Sequence, residues 1–228
     1  STPRPRRRAR TPLQDGRFRR SHALVVGVNR YSAAAATATD ALPDLTTPVA
    51  DALALAQRLR ELGYCVVTLT GEAATAERIL GQIARFRRVV GKAKGRDRFL
   101  FYFAGHGIAL AAPDDKGLPR GYVVPYGVTR ADRSGLLDMA VLRAALEGTE
   151  ASPMSAHHAL VVLDCCFAGA FRQASAREVG GFGGRLYDSQ LRHFTERPAW
   201  QMLCSAAPDQ IALDVDDGLT LGTRGAAE

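Results

Sequence analysis

Two segments of this chain are apolar at every position yet too short to be core helices. Phe99-Leu100-Phe101-Tyr102-Phe103 is one, and Leu160-Val161-Val162-Leu163 is the other. Runs of this kind read as strands buried on both faces, which is the signature of a parallel sheet covered by helices. Each run ends abruptly in small residues and one reactive side chain. The first continues as Ala104-Gly105-His106-Gly107, the second as Asp164-Cys165-Cys166-Phe167-Ala168-Gly169. Strand C-termini of a parallel sheet share one edge, and open α/β folds place their chemistry there. If the two strands are neighbours, a histidine and a thiol come within reach of each other, as a cysteine nucleophile and its base require.

The rest of the pattern fits such a sheet. Ala23–Val28 reads as a first buried strand. Pro48 suits the first turn of a helix on which Val49, Leu53, Ala56, Leu59 and Leu62 recur at helical spacing, and Gly63 ends it. Tyr64–Thr70 reads as a second strand. Thr75 can cap a helix reaching Val90, with Ile79, Ile83 and Phe86 on one face. A short strand at Gly121–Val124, a helix over Leu137–Leu146 and a strand at Trp200–Cys204 complete the alternation. Strands alternating with helices predict a mostly parallel central sheet sandwiched by helices. Residues 170–198 have weak periodicity and a glycine cluster, and are expected to form a flexible linker.

Charge divides the chain into two parts. Residues 1–20 hold eight arginines against the single Asp15, which accounts for the whole net charge of +7. The body from 21 to 228 is formally neutral and is read as one domain. The Arg/Pro-rich tail cannot bury apolar surface and is expected to be disordered. It leaves open a weak electrostatic arm for nucleic acid. No apolar run approaches the roughly 20 residues of a membrane span, so no membrane partner is expected. Cys65, Cys165, Cys166 and Cys204 do not make a disulfide framework in a chain of this length, and a reducing, cytoplasmic location is the expectation. The first residue is Ser1 rather than Met, which suggests a processed form or a fragment.

A thiol acts as a nucleophile only as thiolate and needs a partner base, which His106 can supply. The backbone N–H groups of Gly107 and Cys166 are candidates to stabilise an oxyanion. Successive strand residues face opposite ways, so Cys165 and Cys166 cannot serve alike, and spacing alone does not choose between them.

Several motifs together resemble the caspase-like cysteine peptidases. Tyr102-Phe103-Ala104-Gly105-His106-Gly107 resembles their histidine motif. Asp164-Cys165-Cys166-Phe167-Ala168-Gly169 resembles the Asp-Ser-Cys-His-Ser-Gly motif of metacaspases and their bacterial relatives. Leu24–Tyr31 resembles the first-strand signature, Val49-Ala50-Asp51-Ala52 the Val-Asn-Asp-Ala that opens the first helix, and Ser205–Ala212 the Ser-x-x-x-Asp-Gln-x-Ala stretch. Neither reactive motif is specific alone; the ordered set, from about Ala23 to about Asp214, is. The resemblance implies a caspase-like α/β fold, lacking its last strand because the chain stops at Glu228.

It further implies that Cys166 is the nucleophile and His106 the base, with Cys165 a packing residue. It implies that Asp164 and Asp51, with Ser205, line a pocket for a basic substrate residue, so that proteins are cut after Arg or Lys. Asp51 can equally be a first-turn acid favoured by the helix dipole, and Asp164 an acid capping backbone amides. Two positions depart from the family motif: Phe167 replaces its usual His and Cys165 its usual Ser. Some metacaspases bind calcium through an acidic cluster; here only Asp138 sits at such a place, beside Leu137, and no cofactor is expected. The 170–198 segment lies where caspases are cut between subunits, and its Arg172, Arg177 and Arg185 suit self-processing. Regulatory NTPase, sensor or repeat domains are the partners the resemblance implies. A catalytically silent scaffold and nucleic-acid binding through residues 1–20 are the alternative readings.

Overall fold

The computed structural model describes residues 18–32, 37, 39–92, 96–110, 120–166 and 198–205. Among these, a five-stranded sheet runs in the order β10-β9-β3-β1-β2, with every adjacent pair parallel. Its strands are β1 (Arg20–Gly27), β2 (Cys65–Thr70), β3 (Asp97–Ala104), β9 (His158–Asp164) and β10 (Ala199–Cys204). Helix α1 (Pro48–Glu61) covers one face, packing Ala52, Ala56 and Leu59 on Ala23, Val25, Leu100 and Tyr102. Helices α2 (Ala76–Val89) and α3 (Met139–Glu147) cover the other, where Ile79, Ile83, Leu142 and Leu146 meet Leu24, Val26, Phe101, Phe103, Val161 and Leu163. Odd and even positions of β3 therefore serve different cores, and the strand is apolar throughout for that reason.

The helices begin where their sequences provide for it. Thr75 accepts a hydrogen bond from Arg78 N at 3.3 Å and caps α2. At α1 the adjacent Thr47 makes no side-chain cap. Asn29, from the loop after β1, supplies it instead, its Oδ1 accepting from Val49 N at 2.8 Å. Helix α1 then lies so close to the end of β1 that a Cβ on Gly27 would sit 2.6 Å from Pro48 O. This close approach brings Asp51, in the first turn of α1, to the C-terminal edge of the sheet.

The sheet begins at Arg20, three residues before the expected start at Ala23, because Arg20 is ion-paired to the buried Asp97 of β3 at 2.9 Å. The remainder of the 1–20 tail, residues 1–17, lies outside the described residues, as do residues 167–197 and 206–228, and with them the expected linker and its arginines. The stretch after His106 holds more structure than its sequence suggests. Short strands β4 (Gly107–Leu110), β5 (Arg120–Val123) and β6 (Leu137–Asp138) form an antiparallel sheet. Gly-Ile-Ala-Leu is too short and too poor in β-formers to announce a strand; pairing with β5 makes it one. A small hairpin joins β7 (Gly148–Thr149) and β8 (Ser152–Pro153). No helix among the described residues is long and apolar enough to cross a membrane.

The topology itself marks a site. From β1 the chain moves to β2 at one edge, whereas from β3 it moves the opposite way to β9 and β10. The order reverses between β1 and β3, and the crevice outside their carboxyl ends is where open α/β sheets bind ligands. Tyr31 follows β1 and His106 follows β3.

Candidate active site

His106 occupies the corner between β3 and β4. Gly105 N donates to Asp164 O of β9 at 3.3 Å, which ties this corner to the neighbouring strand end. The His106 carbonyl accepts from Val124 N at 2.9 Å. In an antiparallel pair the His106 amide would return the bond to the Val124 carbonyl. It does not. The amide donates instead to the Tyr31 hydroxyl at 2.9 Å, and that hydroxyl donates to Val124 O at 3.0 Å. The phenol oxygen is thus inserted between the two strands.

The imidazole is held separately. Its Nε2 lies 2.8 Å from the Pro43 carbonyl oxygen. A carbonyl can only accept, so Nε2 carries the hydrogen and Nδ1 of the neutral ring is left as the acceptor. The Tyr31 ring packs 4.6 Å from the imidazole, tilted by 45°. Pro43 and Tyr31 belong to one loop, which is fastened to itself. Asp44 Oδ1 accepts from Tyr31 N at 2.7 Å and from Ser32 N at 2.8 Å. These bonds, with the Ser32 hydroxyl and the nearby Arg30, hold the Asp44 carboxyl below the usual carboxylate range.

The two cysteines differ as alternation requires. Cys165 extends the Val161–Leu163 face into the core and is 1% exposed. Burial pushes its thiol well above the ordinary value, with Cys166, Cys204 and Asp164 adding to the effect, so it stays protonated. Cys166 is half-buried at the sheet edge. The Cα of Gly107 packs directly on the Cys166 carbonyl oxygen, and a Cβ there would fall on that oxygen. Only glycine lets the two motif segments meet this closely. Since Gly107 faces Val123 across a pair without its own ladder bonds, its amide turns away from β5.

The acidic residues converge on a third side chain. Tyr102 lies on the α1 face of β3, and its hydroxyl is hydrogen-bonded to Asp164 with Asp51 also nearby. Burial, then the two carboxylates, raises this phenol far above its ordinary range, so it remains a donor. Asp51 and Asp164, from a helix and a strand 113 positions apart in sequence, therefore both act on one hydroxyl, Asp164 through a hydrogen bond and Asp51 through its charge nearby. Ser205 lies one residue past β10, its amide donating to Leu163 O at 3.0 Å. Its Oγ is buried without a hydrogen-bond partner among the described residues.

Asp138 has a different task. Its carboxylate caps α3 by accepting from Ala140 N at 2.7 Å, with Arg120 at 3.9 Å. Among the described residues no cluster of three or more His, Cys, Asp or Glu side chains is placed to hold a metal ion. Sequence reasoning did not find Tyr31, Pro43 or Tyr102. Tyr102 reads as part of an apolar strand and Tyr31 as the end of the first-strand signature, and Pro43 contributes a backbone oxygen, which no residue type announces.

The comparisons with known proteins agree with the fold. The family model of the caspase domain, peptidase C14, matches residues 20–224. The crystal structure of protein GSU0716 from Geobacter sulfurreducens is similar with a TM-score of 0.50 at 23% identity, covering 64% of this chain and 50% of that one. That likeness is one of fold, and this chain spans half the length of the solved protein it matches. No curated protein matches.

Proposed function

This chain belongs to the caspase-domain family of peptidases, and from that premise we propose that it is an endopeptidase that cleaves proteins after Arg or Lys through a Cys166–His106 dyad. The Cys166 sulfur attacks the scissile carbonyl carbon while its proton passes to Nδ1 of His106. Nε2–H of His106, donating to Pro43 O, fixes the tautomer that leaves Nδ1 ready to accept. The oxyanion is held by the amides of Gly107 and Cys166. His106 then protonates the departing amine, and water, deprotonated by the same imidazole, releases the acyl group from sulfur.

The observation that carries this reading is the contact of Gly107 with the Cys166 carbonyl, because it joins the histidine and cysteine segments at one point of the sheet edge. The basic specificity is supported by Asp51 and Asp164 around Tyr102: two carboxylates in a partly desolvated pocket favour a cation and repel aspartate. Ser205, with its buried hydroxyl, stands at the neighbouring strand end as a further contact for the substrate residue. The same specificity acts on the chain's own arginines between residues 170 and 198, giving self-processing.

A fluorogenic peptide panel differing only at the residue before the cut tests the proposal. Turnover of Arg and Lys peptides, lost in Cys166→Ala, is expected; turnover of Asp peptides alone overturns the pocket assignment. Mass spectrometry of wild type beside Cys166→Ala reads the self-cleavage. Arg-terminated fragments are expected in the first only, and identical fragments in both sink that part.

A further inference from the structure

We propose that Tyr31 is the positioning residue of the catalytic histidine, its hydroxyl replacing a ladder hydrogen bond so that the backbone of His106 is fixed from the same loop that holds its ring. The inference rests on the dyad reading above. Tyr31 is fully buried, so as a space-filler a phenylalanine would serve. Its oxygen satisfies two backbone groups here, the His106 amide and the Val124 carbonyl, that a regular ladder would pair without it. The His106 amide and the Val124 carbonyl face each other across β4 and β5 and would bond directly in a regular ladder. Inserting a hydroxyl gives up that direct bond on one side of the pair, while Val124 N still donates to the His106 carbonyl at 2.9 Å.

What the insertion supplies is a second anchor. Loop 29–47 reaches His106 twice, through the Tyr31 hydroxyl on its amide at 2.9 Å and through the Pro43 carbonyl on Nε2 at 2.8 Å. The two anchors are themselves linked, because Asp44, next to Pro43, receives the Tyr31 amide at 2.7 Å. A side chain gripped at its backbone and at its far ring atom has little freedom left at χ1 and χ2. Without the Tyr31 bond the His106 backbone keeps only the bond its carbonyl accepts from Val124 N, its amide side is released, and the ring can turn about the Pro43 contact and carry Nδ1 away from the thiol. The 4.6 Å ring packing alone resists tilting but not sliding.

Tyr31→Phe removes the oxygen and keeps the ring. Three quantities are read: thermal midpoint, kcat and KM on an Arg peptide, and the pH profile of Cys166 alkylation by iodoacetamide, followed by peptide mass spectrometry. Misplacement of a proton acceptor by a fraction of an ångström predicts a kcat about 10- to 100-fold lower with KM unchanged within about twofold. The alkylation profile is expected to move toward that of a thiol without a neighbouring base. A Tyr31→Phe enzyme with wild-type kcat and alkylation profile overturns the proposal, whatever its thermal midpoint. If wild type turns over none of the peptides, the peptidase reading fails, and the alkylation profile alone decides: a shifted profile supports Tyr31 and an unchanged one overturns it. If Tyr31→Phe does not fold, 3-fluorotyrosine at position 31 carries the test, since it keeps the oxygen but weakens it as an acceptor. A lowered kcat or shifted profile then supports the role, and no change in either overturns it.

Discussion

At the N-terminal edge of the central sheet Asp97 is fully buried, with the Arg20 guanidinium 2.9 Å and the Gly91 amide 2.8 Å from its carboxylate. At the C-terminal edge of the same strand, Tyr102 gathers Asp164 and Asp51 about a hydroxyl that brings no charge. The first arrangement contains its own cation and gains from staying closed. The second places two acidic side chains near a neutral donor, an arrangement that favours a cation. The histidines divide the same way. His22, beside Asp97, is 7% exposed with its Nε2 unsatisfied, and burial holds it below the ordinary imidazole value of 6.5 despite the nearby Asp97. His106 is half-buried, hydrogen-bonded at ring and backbone, and placed against a cysteine segment. One edge carries a closed ion pair, and the other carries the residues of the candidate site.

Substitutions at the two edges should separate these properties. Cys166→Ala is expected to lower kcat/KM on Arg peptides by at least about 10⁴-fold, with a thermal midpoint close to wild type. A comparable loss from Asp97→Ala, measured per folded molecule, would erase the distinction. Asp97→Ala should instead cost about 2–3 kcal/mol in urea unfolding, the lower part of the range for broken buried pairs because Arg20 is 38% exposed. Asp164→Asn should reduce kcat/KM for Arg peptides about 10- to 100-fold and leave the unfolding midpoint nearly unchanged. An equal loss on peptides with a neutral residue at that position would show that the carboxylate does not select charge.

The smallest effect concerns pH. The His22 value is lower in the folded chain, so the unfolded state takes up the proton first. Its contribution to stability is complete above pH 6.5 and is lost as pH falls through the folded value. Wild type should therefore lose up to about 1.4 kcal/mol per pH unit from this group below that point. His22→Gln should flatten this part of the urea-midpoint profile without altering peptide turnover per folded molecule.

Much of this was legible because it rests on side-chain type and spacing. The uniformly apolar runs marked β3 and β9, and they are adjacent and parallel. Pro48, Thr75 and the periodicity of Ile79, Ile83 and Phe86 located α1 and α2. His106 and the Cys165–Cys166 pair stood out as reactive residues at strand ends, whereas the choice of Cys166 and the pairing of Asp51 with Asp164 came only from the family resemblance. What escaped notice works through groups that every residue has, or through a polar atom on an apolar body. The Pro43 carbonyl has no signature in sequence. Tyr102 counted as part of an apolar run and Tyr31 as the end of a strand signature, although each makes its contact through one oxygen. Strand β4 went unseen because its pairing partner, rather than its own residues, makes it a strand.

Asn29 closes the loop after β1 at its neck. Its carbonyl accepts from Leu45 N at 2.9 Å, its Nδ2 donates to Thr46 O at 2.9 Å, and its Oδ1 receives Val49 N at 2.8 Å. The segment beyond this neck is thereby insulated from the helix that follows. Residues can be gained or lost at the loop tip over evolutionary time without moving Asp51, because α1 is anchored at Asn29 and not through the tip. Such changes are felt at His106 only if they disturb the Tyr31–Asp44 bond. The neck thus holds the start of α1, and Asp51 with it, independently of the loop tip.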